Sequence, residues 1–155
     1  FNDEGDEVGG LTYTGTDDSE RRASAGIMFD QLKQDQTIGI SYSEANGQRA
    51  AGLQVWDRSE HQPHSELIRG LNDANALPEG PGRDAAVKAV RAKAAPGPRR
   101  LFVGKNTDRA ATVSLADGLG RPRLVLRVND DGSSSIEFLD ADGKTVQRIP
   151  DATAK

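Results

Sequence analysis

Between Leu115 and Ile149 three polar turn signals recur about every dozen residues, at Asp117 to Gly120, Asn129 to Gly132 and Asp140 to Gly143. Between them apolar residues alternate with polar ones. Leu124, Leu126 and Val128 fall on one side with Val125 and Arg127 on the other, Ile136 and Phe138 repeat the pattern, and Val146 continues it past the next turn. A two-residue period is that of a half-buried strand, and glycine-containing turns at this spacing join such strands into antiparallel hairpins. The stretch predicts a β-meander.

The same grammar extends through most of the chain. Gly9 and Gly10 lead into a strand over Leu11 to Thr14, followed by a charged turn from Gly15 to Arg22 and a short strand over Ala23 to Phe29. After a polar interruption from Asp30 to Gln36, Ile38, Ile40 and Tyr42 share one face of a strand that turns at Asn46 and Gly47, a strong hairpin pair. Leu53 and Val55 alternate in the return segment, Leu101 and Val103 form another strand, and Ala111, Val113 and Leu115 form one more. Phe1 to Val8 reads as a strand tail, an acidic turn through Gly5 and re-entry into a strand. It repeats Phe138 to Val146 with one residue fewer, which suggests an internal repeat.

The pattern breaks between Pro63 and Pro98. Leu67, Ile68 and Leu71 fit a short amphipathic helix over Glu66 to Leu71, with Ser65 as its cap. A polar loop from Asn72 to Gly82 follows. Arg83 to Ala95 then forms a second helix, with Asp84 near its start and an alanine-valine stripe suited to packing on a sheet, ended by Pro96, Gly97 and Pro98.

The expected fold class is therefore mainly β: an antiparallel meander, or a sandwich or distorted barrel, with a short helical insert. Roughly nine strands are too few for a propeller of four-stranded blades. At 155 residues the chain fits one compact domain, with β-rich halves at about 1–60 and 99–150 joined by the insert at 63–98. A sandwich with a helical annexe or two small β-units also fits that length. In its glycine-turn spacing the chain resembles uncharacterised bacterial proteins rich in such β-repeats; the resemblance brings no catalytic residues with it.

Composition narrows the partners. Lys and Arg number 20 against 24 Asp and Glu, giving a net charge of −4 with both signs interspersed, so no basic block is available for a phosphate backbone. Nucleic acid is disfavoured. No run approaches the ~20 apolar residues of a membrane-spanning helix. The absence of cysteine removes disulfides, thiolate ligands and a thiol nucleophile. The first residue, Phe1, is not an initiator methionine, which suggests a removed segment and favours an exported or membrane-anchored ectodomain over a trimmed cytoplasmic protein.

Few residues carry a chemical signal. His61 and His64, near Glu60 and Glu66, match no established metal motif and suit an exposed linker better than a zinc site. Asp130, Asp131, Asp140 and Asp142 are the residues hairpin turns use, and their spacing is too short for a calcium loop. Asp3, Glu4, Asp6 and Glu7 suggest solvation or a peripheral cation. No metal or cofactor is expected. The ligand-binding candidates are Arg121 and Arg123, which a strand could aim at a carboxylate or phosphate, and Tyr42 and Trp56, which could form an aromatic platform. Edge-strand charge and core packing are the competing roles of these four.

Without a nucleophile, metal or cofactor motif, the leading expectation is non-catalytic recognition of a protein or cell-envelope component. Alternatives are a carboxylate-based hydrolase or carbohydrate-active enzyme, marked by two convergent carboxylates, and a structural assembly domain, marked by a symmetric interface. Sequence leaves the oligomeric state open.

Overall fold

The computed structural model describes residues 1–3, 5, 7–16, 22–58, 64–93 and 97–151, the side chains of residues 64 and 93 excepted. It contains β1 (Gly9–Thr16), β2 (Arg22–Asp30), β3 (Gln36–Ala45), β4 (Gln48–Trp56), α1 (His64–Asn75), α2 (Pro81–Lys93), β5 (Arg99–Lys105), β6 (Ala111–Ala116), β7 (Pro122–Val128), β8 (Ser134–Leu139) and β9 (Thr145–Ile149). All nine strands form one antiparallel sheet whose spatial order is the sequence order. The fold is mainly β, as the turn spacing predicts.

The sheet is an open meander. β1 and β9 lie at its two edges and do not pair, and no second sheet is present among the described residues. The barrel and sandwich alternatives therefore give way to a single layer. The reason is local: each described strand connection is a tight hairpin or, between β4 and β5, an excursion that returns to the neighbouring position. Because β4 pairs with β5 from Ala51 opposite Lys105 to Trp56 opposite Arg99, the strands before and after the insert belong to one continuous sheet.

From β5 to β9 register is set by a repeated turn. In the hairpins at Asn106, Asp117, Asn129 and Asp140, the amide of that residue donates to the carbonyl four residues on. The amide three residues on donates back to its carbonyl. The closing residue adopts a left-handed backbone in each: Arg109 (φ 65°), Gly120 (77°), Gly132 (84°) and Gly143 (79°). This is a type I turn closed by a G1 bulge, in which glycine is the residue of least strain. Asp117 and Asp140 also use Oδ1 to accept the amides two and four residues on, locking the turn from within. Asn2 to Gly5 forms the same inner hydrogen bond, with φ 85° at Gly5. The turn half of the expected repeat is thus present, but the described residues flanking it are not strand, and β1 begins only at Gly9.

Four bulges fall along one line across the sheet. Register shifts occur after Phe29, Val55, Leu115 and Phe138, each time at the end of the sheet nearer the helical insert. The pairs Phe29–Ile38, Val55–Leu101, Leu115–Leu124 and Phe138–Gln147 belong to the same cross-strand row, so every odd strand from β3 to β9 carries its extra residue at the same level. A bulge bends its strand and raises the local twist. Aligned bulges impose both on the whole sheet.

The helices are longer towards the middle of the insert than the sequence indicates. α1 runs on through Asn75 because Ala74 is buried, so the expected loop from Asn72 shrinks to residues 76–80. α2 starts at Pro81, a favoured first helical position. Ser65 lies within the first turn of α1, and the expected ending of the second helix at Ala95 and Pro96 falls outside the described residues. Each helix packs chiefly on the other rather than on the sheet. Val90 lies against Gly70, where an added Cβ would come within 3.1 Å of Val90 Cγ1. The valine stripe of α2 serves this helical hairpin.

Two outcomes are expected from this geometry. Arg109→Gly relieves a left-handed non-glycine residue worth ~1–2 kcal/mol, less the ~0.5–1 kcal/mol entropic cost of glycine, so urea unfolding should show a gain of roughly 0.5–1 kcal/mol. Its exposed ion pair with Asp130, at 3.2 Å, contributes little. Gly39→Val should lose about 1–3 kcal/mol by overpacking. A Cβ there would lie 2.7 Å from Met28 Sδ and 3.2 Å from the Trp56 ring. Trp56, the single tryptophan, should report the displacement as a change in emission.

Candidate functional site

The register sorts the side chains of the sheet into two unlike faces. One face carries an unbroken row through all nine strands: Leu11, Ile27, Ile40, Leu53, Val103, Val113, Leu126, Ile136 and Ile149. Beside it runs a second row of Phe29, Ile38, Val55, Leu101, Leu115, Leu124 and Phe138. A third row holds Tyr13, Ala25, Tyr42, Ala51, Lys105, Ala111, Val128 and Ser134. In the first two rows no position is charged.

The opposite face carries Met28, Gly39, Gln54, Phe102, Ser114, Val125, Glu137 and Arg148 in one row. Its neighbour holds Thr12, Gly26, Ser41, Gly52, Gly104, Thr112, Arg127 and Ser135. Here the small residues are covered by large neighbours lying across them. Met28 and Trp56 fill the space above Gly39, and the Phe102 ring reaches over Gly52. Lateral hydrogen bonds tie the rest together: Gln54 donates to Ser41 Oγ at 3.1 Å and accepts from Arg99 Nη1 at 3.1 Å, and Thr14 pairs with Ser24 at 2.7 Å. Arg148 meets Glu137 at 3.6 Å. Val125 and Ser135 are consequently buried on this polar side.

The apolar face has no such cover. Leu11 is 81% exposed, Ile40 56% and Phe29 53%, and even the mid-sheet Val103 and Leu126 stand 39% and 37% open. A groove of about 600 Å³ runs over β5 to β9 on this face, between Val103, Val113, Leu126, Ile136 and Ile149. Apolar alternation of this kind calls for another layer over the face. None packs there among the described residues, since the two helices that might supply it pack chiefly on each other.

The four side chains singled out from sequence do not converge. Tyr42 stands on the apolar face, half-buried, and its hydroxyl donates to Glu44, which also pairs with Arg49 at 3.1 Å. The Glu44 hydrogen bond raises the Tyr42 pKa above its ordinary value. Trp56 is on the polar face, half-buried between Gly39 and the Arg58 guanidinium 5.6 Å from its ring centroid. Tyr42 and Trp56 therefore form no common platform. Arg121 sits in the turn before β7 with Nε on Asp117 Oδ2 at 2.8 Å. Arg123 projects onto the polar face, where its Nη1 and the Nε of Arg127 are buried without a partner among the described residues. A bulge at Arg123 separates the two arginines that simple alternation would put on one face.

The acidic turn residues are consumed locally. Ser133 holds Asp131 Oδ1 through its hydroxyl at 2.6 Å and its amide at 2.9 Å, which lowers the carboxyl pKa. Partial desolvation pushes Asp117 upward, but the amides of Leu119 and Arg121 and the Arg121 side chain outweigh it and leave that carboxyl lowered. No group of three or more His, Asp or Glu able to hold a metal ion occurs among the described residues. His61, Glu60, Glu4 and Asp6 lie outside them. A second groove of about 600 Å³, at the helical hairpin, is lined by Glu79, Arg83, Asp84, Lys88 and Arg91, with Glu79 spent on Arg83 at 3.5 Å. No described helix is long and apolar enough to cross a membrane.

Sequence reasoning missed the coincidence of the apolar rows. Its signal lay in the turns: where one turn geometry repeats, as from β5 to β9, register is fixed and alternation inside each strand becomes alignment across them. Lowered carboxyl pKa values at Asp117 and Asp131 mean that the folded state holds fewer protons than the unfolded chain. Their stabilisation is fully present above the ordinary aspartate value of 3.8 and is lost as pH falls through the lower folded values. Asp131→Asn should flatten the acid limb of a denaturation-midpoint profile below that value; an unchanged limb would contradict the assignment. Comparison with protein families, with curated proteins and with solved structures finds no match to this chain.

Proposed function

We propose that this chain is a non-catalytic recognition module that binds an apolar protein surface through the aliphatic face of its sheet. The observation that supports this reading is the nine-residue apolar row from Leu11 to Ile149, open to solvent and flanked by a second row of the same character. Monomeric proteins rarely expose contiguous apolar patches beyond a few hundred Å², and larger ones mark interaction surfaces. The polar face, closed over itself by Met28, Trp56, Phe102 and lateral hydrogen bonds, offers a partner less.

A photo-reactive side chain placed at Ile40, in the apolar row, should give protein adducts on irradiation in a cell extract. The same group at Ser114, on the polar face, should give few. Equal labelling from both faces, or none from Ile40, would contradict the reading.

A further inference from the structure

The chain carries too much surface for its mass. It exposes 10819 Å², whereas a compact monomer of 16.5 kDa carries about 7,500 Å². The single-layer architecture contributes to the difference, and a sheet with one uncovered apolar face needs a second layer. We propose that this layer is the same face of a second copy, so that two nine-stranded sheets stack as a two-fold sandwich. The inference rests on the reading that the aliphatic face is a binding surface, and adds the identity of its occupant.

Area, shape and chemistry point the same way. Nine strands about 4.8 Å apart span roughly 40 Å, and the three rows of this face, about 6.7 Å apart along the strands, are together about 15–20 Å deep, so each copy offers on the order of 600–800 Å². Doubled, that reaches the roughly 1,200–2,000 Å² of a stable interface. Aligned sheet packing requires two sheets whose twists match, which two copies of one sheet provide by construction. The two central rows hold no charge that burial would strand, while Glu44, Arg49 and Lys105 lie towards the margin. Lipid fits less well, because a depth of about 15–20 Å falls short of the ~25 Å apolar band of a membrane barrel.

The geometry makes the contact specific. β5 is the middle strand of nine, and a two-fold axis lying between the sheets and passing over the middle of the aliphatic row, whether along the strands or across them, puts β5 opposite β5 of the other copy. Val103, fifth in the nine-residue row, then lies close to its own symmetry mate.

Sedimentation equilibrium of the purified chain at micromolar concentration should give about twice 16.5 kDa, and Ile40→Asp with Leu126→Asp should return it to monomer mass with its sheet circular dichroism intact. Since the chain contains no cysteine, Val103→Cys tests the orientation in an otherwise unaltered protein. Oxidation with copper phenanthroline, which removes one electron from each of the two thiols, should join two chains by a disulfide through it and fail to do so through Ser114→Cys on the polar face. This decides the matter even where the double variant does not fold. A folded monomer, or a dimer joined through position 114 and not 103, would overturn the proposal, as would a monomer that instead sediments with phosphatidylcholine vesicles. A monomer whose Ile40 photo-adducts contain a different protein refutes the self-pairing and leaves the binding surface standing. A monomer with no adducts removes both.

Discussion

Everything in this structure depends on cross-strand register. In an antiparallel sheet the side-chain period is two, so a slip of one residue between any pair of strands sends a whole set of apolar side chains to the wrong face. Here the same turn recurs at Asn106, Asp117, Asn129 and Asp140, and each copy closes on the same pair of backbone hydrogen bonds. The four bulges fall at one level, so the extra residues they insert do not scramble the faces. From β5 to β9 these turns keep the aliphatic row in phase, and the pairings of β1 to β5 continue it across all nine strands.

Register also explains the contrast between the faces. On the polar side, glycine and serine positions create troughs, and large neighbours lie down into them: Met28 and Trp56 over Gly39, Phe102 over Gly52. Polar groups there find partners sideways, as Gln54 does with Ser41 and Arg99. That face is covered by its own residues, although Arg123 Nη1 and Arg127 Nε lie buried in it without a partner among the described residues. On the other side the rows from Leu11 to Ile149 and from Phe29 to Phe138 set branched aliphatic and aromatic chains of similar size next to one another, with no glycine or serine between them. They can leave water only by meeting a surface from elsewhere.

Much of the fold was legible because hairpins are local. The alternation of Leu124, Leu126 and Val128, the Asn46–Gly47 turn and the proline-bounded insert each declare themselves within a dozen residues. The insert's full extent did not, since α1 continues past Leu71 on the strength of Ala74, whose burial depends on packing against a partner helix. Single-layer architecture was equally hidden: alternation says that a face is apolar and says nothing of what covers it. The site candidates suffered from the same limit. Arg121 and Arg123 look like a pair at two-residue spacing, but a bulge and the Asp117 side chain divide them. Tyr42 and Trp56 look like a platform until register places them on opposite faces.

A single aliphatic face requires the join between β4 and β5, where 42 residues separate strands that must still be neighbours in the correct phase. Nuclear Overhauser contacts between backbone protons of Gly52 and Gly104, and between Leu53 and Val103 side chains, test that join directly. Cross-peaks at these pairs, continuous with those from Ile40 to Leu53 and from Val103 to Val113, are the expected result. Their absence, with β1 to β4 and β5 to β9 behaving as separate sheets, would contradict a single aliphatic face.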